Sequence, residues 1–169
     1  MPVTSPLVTR ASRLFSGEIM SQPNQPYRPS VLIIDDDTAV CDVVARLLRR
    51  AGLRAIGVYD GLASVRTAER ARPDLILVDL CMGGVDGRIT LRLLRAQVPP
   101  TVILAFTGLL IPDEPLLYEG FDGVVRKPVL AFELVEQITR ALDGASTLRG
   151  SGIGPGDLLA FASQRLRIA

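Results

Sequence analysis

The sequence predicts an α/β domain built on a parallel sheet with helices packed on both faces. Three observations carry this reading. Apolar runs and amphipathic stretches alternate about five times between residues 31 and 142. Residues 31–34 (VLII), 75–78 (LILV) and 101–106 (TVILAF) are apolar at successive positions, as strands buried on both faces are. The polar residues that interrupt these runs fall at strand ends: Asp35, Asp36 and Asp37 after the first, Asp79 at the end of the third, Thr107 after the fourth and Lys127 after the fifth. In a doubly wound sheet those ends share one edge, the edge at which ligands bind.

Each element has its own signal. Residues 31–34 form the first strand. Val40, Val43, Val44, Leu47, Leu48 and Ala51 then follow helical spacing, with Arg46, Arg49 and Arg50 off that face and Gly52 as the stop. Residues 54–59 (RAIGVY) make a weaker strand, and 61–71 a polar, alanine-containing helix. The third strand stops at Asp79. A helix over 86–96 starts at Asp86, the fourth strand covers 101–106, and Val124 and Val125 begin a short fifth strand. Leu134, Val135, Ile138 and Leu142 stripe a final helix. On either side, residues 1–29 hold five prolines and no sustained periodicity, which predicts a flexible arm in which Met20 is an alternative start. Residues 145–169 read as a tail, in which Asp157 is suited to cap a short helix.

Composition excludes several functions. The chain has 169 residues, 48% of them hydrophobic and 22% charged, a globular balance. A net charge of +1 offers no electrostatic footprint for nucleic acid. No apolar run approaches the roughly 18 residues of a membrane span. There is no histidine, which removes histidine-based acid–base catalysis and histidine metal sites. Cys41 and Cys81 lack a metal-type spacing, so reduced thiols and a cytoplasmic protein are expected.

Three adjacent aspartates repel one another unless something cationic offsets them. Asp37 is accounted for as a helix start, because aspartate caps helices and suits their dipole. Asp35, Asp36 and Asp79 remain, converging on a hydroxyl and an ammonium, a set that suits a hard divalent cation such as Mg²⁺. Two carboxylates 4–5 Å apart repel by roughly 3–4 kcal/mol at an effective dielectric near 20, which a dication more than offsets. Lys127 is the only lysine beside eighteen arginines. A compact ammonium on a flexible stem suits contact with a phosphoryl oxygen, so the choice of lysine in this position is informative.

The blocks VLIIDDDTAV, PDLILVDLCMGGVDG, VILAFTG and GVVRKP, in this order and spacing, resemble the four motif blocks of the bacterial response-regulator receiver domain over residues 30–144. The resemblance implies a flavodoxin-like five-stranded parallel sheet of order 2-1-3-4-5 with five helices. It implies that Asp79 accepts a phosphoryl group from a phosphohistidine on a sensor histidine kinase or histidine phosphotransfer protein. Asp35, Asp36 and Asp79, with the backbone carbonyl of Cys81, would bind Mg²⁺, and Thr107 and Lys127 would contact the phosphoryl group. Such a protein is a phosphoacceptor rather than an enzyme with a separate catalytic domain, and it signals by contact with a downstream protein or serves as a phosphoryl relay or sink. The charge and hydropathy above add the expectation of no direct nucleic-acid or membrane contact. AFTG is similar to the Phe-Ala-Thr-Gly motif of stand-alone receivers, so a stand-alone regulator is expected.

The sequence also departs from that pattern. Gly83 stands where the family usually has proline. Val124 replaces the switch aromatic three residues before the lysine. The stretch between Thr107 and Lys127 is short, and Pro112 and Pro115 are expected to disrupt a regular fourth helix. Tyr118 and Phe121 are the candidates to carry the switch in place of residue 124. These departures leave open a receiver-like binding module whose output never depends on phosphate. A metal-dependent phosphotransferase or hydrolase is a third class, but it typically gathers its acids in one short loop.

Overall fold

A computed structural model describes residues 27–98 and 101–150. Five strands and five helices alternate through it. They are β1 (Ser30–Ile34), α1 (Thr38–Arg50), β2 (Arg54–Val58), α2 (Gly61–Ala71), β3 (Leu75–Asp79), α3 (Gly87–Gln97), β4 (Val102–Thr107), α4 (Asp113–Tyr118), β5 (Gly123–Arg126) and α5 (Ala131–Gly150). All neighbouring strands pair in parallel, and the sheet order is β2-β1-β3-β4-β5, as expected.

The period-two geometry of the strands explains why their sequences are apolar throughout. Val31, Ile33, Leu75, Leu77, Leu104 and Phe106 face one core, completed by α1 and α5 through Val44, Leu48, Leu134 and Ile138. Leu32, Ile34, Ile76, Val78, Ile103 and Ala105 face the other, against Ala68, Leu91, Leu94 and Leu116 from α2, α3 and α4. Each fully buried leucine or isoleucine contributes roughly 1.5–3 kcal/mol relative to exposure. The strands are therefore fixed from both sides, and their ends are rigid platforms for polar groups.

Aspartates start three helices. Asp37 accepts from the amides of Ala39 and Val40, Asp60 from Leu62 and Ala63, and Asp86 from Arg88. The readings of Asp37 and Asp86 as helix starts hold, and Gly52 leaves α1 in the left-handed region at φ 89°.

Four expectations need correction. Thr107 is the last residue of β4 rather than the residue after it, because its carbonyl accepts the Lys127 amide at 2.8 Å and so extends the ladder. Pro112 and Pro115 do not abolish the fourth helix. Pro112 is its N-cap and Pro115 lies in its first turn, where a missing N–H costs no intrahelical bond, so a six-residue α4 forms. The final helix does not stop at the expected boundary of 144. Ala145 extends the buried stripe of Leu134, Ile138 and Leu142, and α5 continues to Gly150. The end of the expected arm is part of the fold: the Tyr27 hydroxyl donates to Asp74, and the Pro29 carbonyl accepts the Arg54 amide at 2.8 Å. Met20, the rest of the arm and the tail helix expected at Asp157 lie outside the described residues.

Candidate functional site

The carboxyl ends of β1, β3, β4 and β5 meet at one edge. Asp35, directly after β1, and Asp79, the last residue of β3, are both buried, whereas Asp36 is exposed. One oxygen from each of the three lies within 4.8 Å of the others. Lys127 follows β5 and reaches back into the group, with Nζ 2.6 Å from Asp35 Oδ2 and 3.3 Å from Asp79 Oδ1. Its ammonium also sits 4.4 Å from the centre of the Phe106 ring, an apolar and cation-favouring floor that the sequence reading did not identify.

Backbone donors orient the acids. The Asp37 amide donates to Asp35 Oδ1 at 2.9 Å, and the Gly83 amide donates to Asp36 Oδ2 at 2.7 Å. Gly87 lets α3 begin directly against β3: a Cβ there would lie 2.2 Å from the Asp79 carbonyl oxygen and 2.9 Å from Leu80 Cα. The Asp-Gly pair at 86–87 thus carries two jobs, a cap and a close approach.

The charges do not balance. Burial pushes the Asp35 carboxyl above its ordinary value, although the Lys127 hydrogen bond and the Asp37 amide pull the other way. For Lys127, burial pulls down, but the hydrogen bond and charge of Asp35, aided by Asp79, outweigh it and leave the ammonium favoured. The lysine gains from the arrangement while the carboxylate does not. One ammonium is insufficient for three carboxylates, and a further cation fits the residues present. The donor set is all oxygen, which suits Mg²⁺ rather than a softer metal.

Thr107 is fully buried at the same edge; its Oγ1 accepts the Leu109 amide at 3.0 Å. Its hydroxyl hydrogen has no acceptor among the described residues. Cys81 is an exposed free thiol two residues past Asp79. Cys41 is a packing residue of the core. Its thiol lies among the carbonyls of Asp35, Ile33 and Val58, and burial, reinforced by Asp35, pushes its pKa up to about 11.

The candidate switch residues are not brought together. Tyr118 projects into solvent, Phe121 is fully buried beneath α4, and Val124 is half-buried against the same core. Arg126, which the sequence reading passed over, instead holds the loop between β4 and α4. Its guanidinium donates to the carbonyls of Leu109 and Ile111 and to the Asp113 carboxylate.

A five-stranded parallel sheet in this order, with three carboxylates, a hydroxyl and a lysine on its carboxyl edge, defines the architecture of a signal receiver. The response regulator receiver domain profile matches residues 31–139, and the chain belongs to that family. It is therefore a receiver domain of the response regulators of two-component signalling. Among curated relatives it is 36% identical to the sensory transduction protein RegX3 of Mycobacterium bovis over 114 residues, covering 67% of this chain and 50% of that protein. It is 29% identical to the DNA-binding response regulator MtrA of Mycolicibacterium paratuberculosis over 144 residues, covering 83% and 60%. The chain spans about half the length of these relatives. Among solved structures, the signal receiver domain of a putative LuxO repressor from Vibrio parahaemolyticus superposes with a TM-score of 0.67 at 24% identity, covering 76% of this chain and 99% of that one. Chemotaxis protein CheY4 of Vibrio cholerae superposes with a TM-score of 0.64 at 26% identity, covering 68% and 99%.

Proposed function

We propose that this protein is a response regulator whose receiver takes a phosphoryl group from a phosphohistidine on a sensor kinase or phosphotransfer protein onto Asp79. The observation that carries the reading is the joint position of Lys127 Nζ, within 3.3 Å of Asp79 Oδ1 and 2.6 Å of Asp35 Oδ2, in a group of three carboxylates. An Asp79 oxygen attacks phosphorus in line as the N–P bond of the donor breaks, and the departing imidazole nitrogen keeps the electron pair and is protonated. The Lys127 ammonium is in reach of one phosphoryl oxygen, and the spare hydroxyl hydrogen of Thr107 is free to donate to another. Asp35, Asp36 and Asp79, with the Cys81 carbonyl, would hold Mg²⁺, which when bound supplies positive charge against the carboxylates and the phosphoryl oxygens. Hydrolysis of the acyl phosphate by water returns Asp79, so the protein assists its own loading and unloading without a separate catalytic domain.

A small acyl-phosphate donor with Mg²⁺, followed by intact mass, tests this. The expected result is a gain of one phosphoryl group that is lost in Asp79→Asn and on chelation of the divalent ion. An unchanged wild-type mass would overturn the reading in favour of a phosphate-independent binding module. Rapid donor turnover without a stable adduct would favour a hydrolase. The AFTG block supports a stand-alone regulator, the net charge of +1 supports a protein target rather than nucleic acid, and the widely spaced Cys41 and Cys81 support a cytoplasmic protein. The mass of the protein isolated from its own cells tests the first of these. Among the described residues no helix is long and apolar enough to cross a membrane.

A further inference from the structure

We infer that Arg126 is a positioning residue. It latches the segment between β4 and α4 onto the site edge and makes that segment respond to Thr107. In β5, residue 124 carries valine, and Arg126 lies two positions further along, on the same face and nearer the site. The sheet register pairs Val124 with Ala105 and Arg126 with Thr107. Arg126 is thus the side chain of β5 that stands directly beside Thr107.

The hydrogen bonds of the segment make the case. Residues 108–111 belong to neither strand nor helix, and Leu110 is fully exposed. Every hydrogen bond between this segment and the rest of the described fold ends on Thr107 or Arg126. The Leu109 amide donates to Thr107 Oγ1, while the Leu109 and Ile111 carbonyls accept from Arg126. The same guanidinium pairs with Asp113, at the first position of α4. Arg126 therefore ties a strand, a loop and a helix start through one planar fork, and a single-nitrogen lysine does not reproduce that bridge.

This arrangement has a consequence for signalling, which rests on the phosphoryl-accepting reading above. If Thr107 shifts toward a phosphoryl oxygen, Leu109 must follow or lose its bond, and Leu109 is held at its carbonyl by Arg126. The latch converts a small displacement of one buried hydroxyl into a choice between two loop arrangements. Without it the loop keeps only the Leu109–Thr107 bond and the packing of Leu109 and Ile111 on the core, and no carbonyl contact ties it to β5.

Hydrogen exchange on the full chain tests this, with and without beryllofluoride as the phosphoryl mimic. In unmodified protein, Arg126→Ala is expected to speed exchange across residues 109–113 by about tenfold, from the loss of charge-assisted bonds. In wild type, beryllofluoride should change exchange in that segment, and in Arg126→Ala the change should vanish while Asp79 still loads at the wild-type rate. Arg126→Lys should not restore the difference. Asp113→Asn, at an accessible position, keeps the test available if the alanine variant does not fold, and should weaken the difference in the same direction. Wild-type exchange and a wild-type response in these variants would overturn the latch. Failure of wild type itself to load Asp79 would overturn the functional reading, while the unmodified exchange comparison would still decide whether Arg126 holds the loop.

Discussion

The Gly83 amide donates to Asp36 Oδ2 at 2.7 Å, a bond that the proline usual at this position in receivers has no hydrogen to make. The departure therefore adds a donor to an exposed carboxylate of the proposed metal site. Groups that orient a ligand from behind are typically worth 10–100-fold in metal affinity. Gly83→Pro should weaken Mg²⁺ binding by about tenfold, whereas Gly83→Ala, whose Cβ would meet Asp36 Oδ2 at an ordinary 3.4 Å, should not. Calorimetric titration of both variants decides it; equal affinities would mean the amide is a bystander.

Lys127→Arg should impair the response although charge is conserved. The ammonium fits between Asp35 Oδ2 and Asp79 Oδ1 above the Phe106 ring, and a planar guanidinium with a longer reach cannot occupy that point. The expected result is slower loading of Asp79 under saturating donor and a smaller structural change with beryllofluoride. Indistinguishable kinetics and exchange would mean that the lone lysine has no special role.

Much of this edge was legible in sequence. Strands buried on both faces leave apolar runs, and the aspartates, threonine and lysine that end those runs could be assigned to one edge from topology alone. The errors have local causes. Threonine is compatible with a strand, so the end of β4 turned on the Lys127–Thr107 ladder bond, which composition does not reveal. Two prolines look like helix breakers until one knows that both fall at a helix start. Arg126 was passed over because an arginine beside a lysine at a strand end resembles a surface charge. Only the path of the loop shows the carbonyls it reaches.

Asp35 should cost stability in the metal-free protein. Burial raises its pKa above the ordinary carboxylate value, so the folded state binds this proton more tightly than the unfolded chain. The stability linked to its protonated form is present below the unfolded pKa and is lost as pH rises through the folded one. Lys127, also raised, contributes stability that is intact below its unfolded pKa and fades as pH climbs through its folded value. Asp35→Asn should therefore melt higher than wild type at neutral pH in chelator, with the gap closing as pH falls through the acid range. Mg²⁺ at about 100 times its dissociation constant should stabilise wild type by about 2.7 kcal/mol and the variant far less. Thermal melts across pH would contradict this if the variant melted lower throughout.

Thr90 of α3 lies against the first residue of α2. Its hydroxyl is fully buried and has no hydrogen-bond partner among the described residues, a state that costs about 1–3 kcal/mol. Gly61, the first residue of α2, faces it: a Cβ at 61 would lie 2.5 Å from Thr90 Oγ1 and 3.2 Å from Val85 Cβ. Gly61→Ala should therefore destabilise the domain by about 1–3 kcal/mol through overpacking. Thr90→Ala removes the clashing atom and the unpaired hydroxyl together, so Gly61→Ala should cost markedly less in that background. A double-mutant cycle by urea unfolding measures the coupling, which should be at least about 0.5 kcal/mol for residues in direct contact. Simple additivity would show that Val85, not the Thr90 hydroxyl, is what keeps position 61 a glycine.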